Sequence, residues 1–393
     1  MRILHLVKRI VILGATGSIG TQTLEIVRAH PDRLQVVGLG AGANARLLAE
    51  QVAEFRPVAA GLSDADAAAA TRAGWPEQTR LLAGPEGLME LAALPEADLV
   101  VAAITGLAGL DPLLAALEAG KDVALANKEP LVAAGRIVTE AAARTGARLL
   151  PVDSELSAIF QALKGEDRRA IRRILLTASG GAFRDRPVAE LAQVTPEEAL
   201  SHPTWRMGKK VTIDSATLAN KGFEVFETKW LFGVELEQIE VIVHHQSIVH
   251  SLVEFVDGSV MAQLSRPDMR APIQHALLYP ERVAAEWARL DLVEAGPLTF
   301  AAPDPERFPC LRLAYEAARA GMTYPAALNA ADEVAVERFL AGEVRFTDIP
   351  AIIEETLARH RPLSDDSLSH VRRADAWGRE FAGRLARSEA HQL

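Results

Sequence analysis

Residues 9–20 read RIVILGATGSIG, and the fold turns on this stretch. Ile10 to Leu13 form an apolar, mostly β-branched run, the composition of a strand buried on both faces. Gly14, Gly17 and Gly20 follow at three-residue spacing, and the amphipathic segment TQTLEIVRAH comes next. A second apolar run, LQVVGLGAG (34–42), succeeds it. Strand, glycine turn, helix and strand make a βαβ unit. Further strands are expected at ADLVVAAI (97–104) and KDVALAN (121–127), separated by LDPLLAALEAG (110–120), whose leucines recur at helical spacing. The first 150 residues therefore predict a Rossmann-type, doubly wound parallel sheet in an α/β chain.

Downstream the pattern changes. ARLLPVDSE (147–155) and IRRILLTASGG (171–181) read as strands. TIDSATLANKGFEVFETKWLFG (212–233) reads as one long helix with a polar N-cap and a terminal glycine. IEVIVHHQSIVHSLVEFVDGSVMAQL (239–264) alternates around Asp257-Gly258, as antiparallel strands do. This predicts a central α+β region. Four prolines in residues 291–309 mark a linker, and four helical patterns beyond it predict a C-terminal helical bundle. The expected domains are 1–150, 151–281 with a lid near 201–210, a linker at 282–308, and 309–393.

At 393 residues the chain is long enough for two or three cores. Its formal net charge of -10 argues against nucleic acid, and no stretch has the roughly 20 uninterrupted apolar residues of a bilayer span. The single cysteine, Cys310, excludes a disulfide framework and fits a reducing cytoplasm. Small molecules are the expected partners, an anionic one needing a local basic pocket.

Asp153 and Glu155 stand where the apolar run ARLLPV ends, two residues apart and so on one face if the strand continues. Two acids so placed repel each other unless a cation lies between them. Oxygen ligands without a nearby cysteine suit Mg²⁺ or Mn²⁺, with Co²⁺ as a further option, and Glu224 is the candidate third ligand. A solvated strand end with Ser154 as helix cap is the plainer alternative, and Glu224 could simply pair with Lys221. Gly222, in mid-helix, implies close approach of a ligand, another backbone or a packed helix.

The glycine turn offers Thr16, Gly17, Ser18 and Ile19 to a pyrophosphate. The second strand ends in GLGAGAN without the acid that holds a free ribose 2′-hydroxyl, which favours NADP, and Arg46 lies one helical turn on. Ser179 in its glycine turn, with Ser215, Asn220 and Lys221, could form a phosphate cradle, although each alone could be a cap or turn residue. SHPTWRMGKK (201–210) reads as a lid in which Trp205 covers apolar carbons, His202 reaches the phosphate and Gly208 allows hinging; a surface loop with Trp205 docked on the core is the alternative. His244, His245 and His250 read as hydrogen-bonded sheet residues rather than metal ligands.

The strings GATGSIG, ALANKE, PVDSE, TASGG, HPTWRMGKKVTIDSATLANKG, QSIVHSLVEFVDGSVMAQL, PDMRAPI and NAADEVAV, in this order, closely resemble the 1-deoxy-D-xylulose 5-phosphate reductoisomerase family. The resemblance implies a V-shaped homodimer subunit that uses NADPH and a divalent metal. The implied reaction rearranges 1-deoxy-D-xylulose 5-phosphate and reduces the product to 2-C-methyl-D-erythritol 4-phosphate, in the non-mevalonate isoprenoid pathway. It also implies roles: Asp153, Glu155 and Glu224 as metal ligands and, with Lys128, as the catalytic set; Lys128, Ser154, Glu155, Ser179, His202, Ser215, Asn220, Lys221 and Glu224 as substrate contacts; Trp205 and Met207 as the lid over the substrate. Thr16 to Ile19, Gly42, Ala43, Asn44, Asn127, Glu129 and Gly208 correspond to NADPH contacts. Leu156 stands where the family usually has histidine, Ala43 where it usually has Arg or Lys, and Ala182, His245 and Ala219 also depart from its pattern. A reductase of another phosphorylated carbonyl compound, or a cofactor-binding protein without catalysis, are the rival readings.

Overall fold

A computed structural model describes residues 7–71, 75–205, 207–287 and 289–390, so Arg206 of the expected lid lies outside the described residues. The chain divides into two compact units: Met1–Pro130, Val138–Ser157 and Asp268–Glu286 form one, Leu131–Ile137, Ala158–Pro267 and Trp287–Leu393 the other.

The first unit alternates strands and helices: β1 (Lys8–Leu13), α1 (Ser18–Ala29), β2 (Leu34–Ala41), α2 (Ala45–Phe55), β3 (Ala59–Leu62), α3 (Ala65–Thr71), β4 (Arg80–Ala83), α4 (Gly84–Ala92), β5 (Leu99–Ala102), α5 (Leu110–Glu118), β6 (Asp122–Leu125), the two ends of α6 (Glu129–Thr145), β7 (Leu149–Pro151) and the start of α7 (Ser154–Ala162). The sheet order is β4-β3-β2-β1-β5-β6-β7 and every pairing is parallel. Strand order reverses between β1 and β5, and a ligand crevice opens at such a switch point, outside the carboxyl ends of the strands. Ile10, Val11, Ile12, Val100 and Val101 are fully buried, as strands covered by helices on both faces require.

In the second unit a four-stranded sheet runs β11-β10-β8-β9, with β8 (Ile171–Ala178), β9 (Ile239–Val243), β10 (Val249–Phe255) and β11 (Val260–Leu264). β10 and β11 form the expected antiparallel hairpin around Asp257-Gly258. β9, in contrast, pairs parallel to β8 and has no pairing with β10. Helices α8 (Pro196–Ala199), α9 (Lys209–Thr217) and α10 (Ala219–Phe232) fill the connection between β8 and β9, and such a crossover returns the chain in the same direction. Alternation alone does not distinguish the two pairings.

The expected long helix at 212–233 is two helices. Leu218 breaks it with φ 58°, and the Thr217 hydroxyl donates to the Asp214 carbonyl and accepts from the Ala219 amide, which caps the break. α11 (Arg270–Leu278) belongs to the first unit, where Gln274 meets His30 at 2.9 Å. The proline-rich stretch contains the short α12 (Leu292–Ala295) and one bridge from Ala301 to Val243. α13 (Pro309–Ala320), α14 (Tyr324–Leu340), α15 (Asp348–Arg359) and α16 (Leu368–Ala390) make the C-terminal helical region. No described helix is long and apolar enough to cross a membrane.

Candidate functional site

The glycine turn sits at the carboxyl end of β1. Gly14 has φ +89°, and a Cβ there would lie 2.3 Å from the Ala103 carbonyl oxygen; one on Gly20 would lie 2.3 Å from the Gly14 carbonyl oxygen. Both glycines are needed for close packing. Gly17 is the N-cap of α1 and no side chain caps it, so the first-turn amides remain directed at the turn, as anion binding requires. Gly17 and Ser18 are exposed, Thr16 and Ile19 half-buried.

Gly42, Ala43 and Asn44 are exposed at the end of β2, the sheet neighbour of β1. The Asn44 side chain accepts from the Leu47 amide at 3.2 Å and caps α2. Buried Gln51 donates to the Ala15 carbonyl at 2.9 Å, tying α2 to the glycine turn. Arg46 pairs with Glu50 at 3.0 Å and stays largely exposed.

Asn127, Lys128 and Glu129 follow β6 and are all buried. The Asn127 amide donates to Glu129. A Cβ on Gly109 would lie 2.2 Å from Asn127 Oδ1, so this glycine keeps the space that Asn127 fills.

The strand-face geometry expected for Asp153 and Glu155 does not occur. β7 ends at Pro151, the Asp153 carbonyl accepts from the Ser157 amide at 2.8 Å, and Ser154 and Glu155 lie in the first turn of α7. Both acids thus stand at a helix N-terminus, where the dipole favours negative charge. Lys128 Nζ meets Asp153 Oδ2 at 2.5 Å, and the Ser154 hydroxyl donates to Glu155. Leu156 is fully buried in the core.

In the second unit, β8 runs into Ser179-Gly180-Gly181, with both glycines at positive φ. A Cβ on Gly181 would lie 2.4 Å from the Ser215 carbonyl oxygen, so the turn packs directly on α9. Asn220 and Lys221 both donate to Glu224, Asn220 at 2.7 Å. Lys221 and Glu224 are buried, Glu224 completely. The space at Gly222 is taken by helix packing: a Cβ there would lie 2.5 Å from Ala314 Cβ of α13.

The His202 ring joins the segment that follows α8 to this turn. Nδ1 accepts from the Thr204 and Trp205 amides at 3.1 and 2.9 Å, and Nε2 lies 3.0 Å from Ser179 Oγ. Burial first, then the Arg184 charge, lowers its pKa to about 4. Arg184 was not singled out from the sequence; its guanidinium donates to the Ser179 and His245 carbonyls, both at 3.2 Å. An arginine five residues after a glycine-turn serine was the available signal. Trp205 and Met207 are half-buried, and the Trp205 ring lies 6.0 Å from that of His250. Gly208 is exposed with φ -63°, which any residue adopts.

Of the three histidines expected in the sheet only His250 is in a strand, where it meets Ser265; His244 lies just beyond β9, satisfied by the Thr299 carbonyl and the Ile248 and Val249 amides, and His245 stands in the turn that follows. Cys310 is buried in the first turn of α13 and its thiol pKa is raised by that burial.

Among the described residues, Asp153, Glu155 and Glu224 are the group that could hold a metal: each offers one carboxylate oxygen, and these lie within 4.8 Å of one another. All three offer hard oxygen donors, which would suit a divalent cation such as Mg²⁺.

Family models match most of the sequence. The 1-deoxy-D-xylulose 5-phosphate reductoisomerase model matches residues 10–135, its C-terminal domain model residues 149–232, and the DXP reductoisomerase C-terminal domain model residues 264–381. The 1-deoxy-D-xylulose 5-phosphate reductoisomerase of Symbiobacterium thermophilum is 55% identical over 380 residues, covering 95% of this chain and 98% of the relative. The chain belongs to the 1-deoxy-D-xylulose 5-phosphate reductoisomerase family. The reductoisomerase of Synechococcus sp. (strain JA-2-3B'a(2-13)) is 52% identical over 387 residues, 98% of this chain and 99% of that one. Among solved structures, the Zymomonas mobilis reductoisomerase in complex with NADPH matches with TM-score 0.90 and 43% identity, over 98% of this chain and 100% of that chain. A DOX-P reductoisomerase in complex with NADPH, fosmidomycin and magnesium matches with TM-score 0.92 and 42% identity, over 98% and 99%.

Proposed function

We propose that this chain converts 1-deoxy-D-xylulose 5-phosphate to 2-C-methyl-D-erythritol 4-phosphate, using NADPH and a divalent cation, Mg²⁺ or Mn²⁺. The observation that carries the reading is the three-carboxylate cluster of Asp153, Glu155 and Glu224, in a member of a family whose solved relatives hold NADPH and magnesium. All its donors are hard oxygens, which fits those cations. When bound, the cation supplies Lewis acidity and NADPH supplies the hydride.

The chain's own residues then have separable tasks. Thr16 to Ile19 offer first-turn amides to the cofactor pyrophosphate, and Gly42 to Asn44 border its adenosine ribose. Asn127, Glu129 and Gly208 complete the cofactor contacts. Asp153, Glu155 and Glu224 hold the cation, while Lys128 on Asp153 and Lys221 on Glu224 offset crowded negative charge. Lys128, Ser154 and Glu155 face the reacting end of the substrate. Ser179, Ser215, Asn220 and Lys221 hold the phosphate, whose binding energy orients the distant carbons. His202 adds a neutral hydrogen-bond donor there, and Trp205 with Met207 excludes water. In this scheme residues 1–150 bind the cofactor, 151–281 the metal and substrate, and 309–393 form the helical domain beyond the linker at 282–308.

We further infer a homodimer that works in the cytoplasm. The edge strand β11 supports the first point, since Val260 and Met261 on it are each about half exposed. Following NADPH absorbance with the ketose phosphate, with and without Mg²⁺ or Mn²⁺ and with NADH in parallel, tests the activity. Metal-independent oxidation, or none with this substrate, would reject it in favour of another carbonyl substrate or a non-catalytic cofactor binder.

A further inference from the structure

Arg184 is a mostly buried cation beside the Ser179 turn, its side chain 22% exposed. Nη1 donates to the Ser179 carbonyl just past β8 and to the His245 carbonyl in the turn after β9, both at 3.2 Å. Its acidic contact is weak, because Asp185 at 3.3 Å is 80% exposed and water screens it. The chain on either side is anchored. Phe183 packs edge-on against Phe346 with ring centroids 5.0 Å apart, and Arg307 donates to the Phe183 carbonyl at 2.8 Å and to the Arg186 carbonyl. Arg184 is thus presented from a fixed segment.

The charge balance of the phosphate pocket gives this cation a task. A phosphate monoester carries about -1.5 to -2 charge at pH 7. Ser179, Ser215 and Asn220 are uncharged, burial keeps the His202 ring neutral, and Lys221 already pairs with Glu224. Arg184 brings further positive charge, close enough to oppose protonation of the His202 ring, whose Nε2 lies 3.0 Å from Ser179 Oγ. A cation on the Ser179 carbonyl also polarises the peptide that follows and strengthens its N–H as a donor.

We propose that Arg184 is a positioning residue for the phosphate of the substrate: it ties the Ser179 turn to the turn after β9 and supplies fixed positive charge behind the bound anion. The proposal rests on the phosphate-pocket reading. Arg184 acts through the Ser179 turn and through its own field.

Three substitutions separate the tie from the charge. Arg184→Lys keeps the charge and a donor, Arg184→Gln keeps a donor without the charge, and Arg184→Ala removes both. On the full-length protein, KM and kcat are measured with 1-deoxy-D-xylulose 5-phosphate, NADPH and Mg²⁺, and binding of inorganic phosphate is measured by calorimetry without turnover. Arg184→Gln and Arg184→Ala should raise both KM and the phosphate dissociation constant about tenfold, as loss of a charge-assisted interaction does, with a smaller change in kcat. Arg184→Lys should stay close to wild type. NADPH affinity should hold in all three, since the cofactor turn belongs to the other compact unit. In an NMR titration the His202 ring should protonate at higher pH in Arg184→Gln than in wild type, because a neighbouring positive charge has gone, and Arg184→Lys should restore it.

Wild-type KM and phosphate affinity in Arg184→Ala would overturn the assignment. Equal KM values in Arg184→Lys and Arg184→Gln, or an unmoved His202 titration in Arg184→Gln, would overturn the role of charge. Losses of kcat and NADPH affinity in step with KM would reduce Arg184 to a structural staple and reject the proposal. Phosphate binding involves no turnover, so it is judged separately from the reaction, whose failure would appear as absent NADPH oxidation in wild type.

Discussion

Replacing Gly181 with alanine tests whether the spacing between the Ser179 turn and α9 sets phosphate affinity. The new Cβ would stand 2.4 Å from the Ser215 carbonyl oxygen and 2.7 Å from Ala216 Cα, where ordinary contact begins at 3.4 Å, so the turn and the helix must part by 3.4 minus 2.4, or 1.0 Å. The obstacle is backbone and cannot rotate away. Positive φ at this position adds roughly 1 kcal/mol of strain, and overpacking of this kind costs about 1–3 kcal/mol, giving a loss of about 2–4 kcal/mol in stability. A misplacement of about 1 Å in a positioning group can cost on the order of 100-fold in rate. KM for the sugar phosphate should therefore rise more than tenfold, with a smaller change in kcat, and the urea midpoint should fall. Gly180→Ala is the control: its Cβ would meet Arg184 Cβ at 2.9 Å and Val243 Cγ1 at 3.5 Å rather than the backbone of α9, so similar positive-φ strain with a smaller displacement is expected. A Gly181→Ala enzyme with wild-type KM, or a control equally impaired, would refute the reasoning.

Glu224→Gln should abolish turnover while NADPH still quenches protein fluorescence with its usual affinity; full activity at saturating Mg²⁺ would remove Glu224 from the ligand set. Lys221→Ala should raise KM strongly by removing a buried cation from the phosphate pocket, and steady-state kinetics at wild-type KM would exclude it from that role. If Arg46 serves the 2′-phosphate, Arg46→Gln should weaken NADPH binding by about several-fold and leave NADH untouched, since NADH has no 2′-phosphate; equal titration curves for the two nucleotides would count against this. His202, His245 and His360 all have pKa values lowered, by burial first, so between pH 6.5 and about 4 the unfolded chain binds protons that the folded one does not. Stability should thus fall as pH drops through that window, less steeply in His202→Asn; urea titrations with equal slopes for the two proteins would contradict it.

Much of this organisation could be read from the residues because each signal was local. RIVILGATGSIG combines a buried strand and a turn that only glycines allow, and its neighbours repeat the pattern. The small strands β3 and β4, with Ala59, Ala60 and Gly61, carry no periodicity to notice. Leucine has no special preference for the left-handed region, so nothing announced the break at Leu218. The acids at 153 and 155 were recognised for their charge but assigned the wrong geometry, since PVDSE reads equally as the end of a strand or the start of a helix. Gly109, Gly181 and Arg184 matter through partners distant in sequence, and that information belongs to the packed chain. Glu224 was singled out because Asn220 shares its helix face, and the pairing with Lys221 expected as the plainer alternative is also present.

If the proposed site is right, the contact between Gly222 and Ala314 makes the C-terminal region a spacer behind the chemistry. Two hydrogens and a methyl group set how deep α10 lies, and Glu224 is only two positions further along. Exchanging helices between relatives would then work only when residues 222 and 314 travel together, like a matched nut and bolt. A chimera with one bulky residue in that seam would fold with its carboxylate displaced, and would lose activity through a position that touches no ligand.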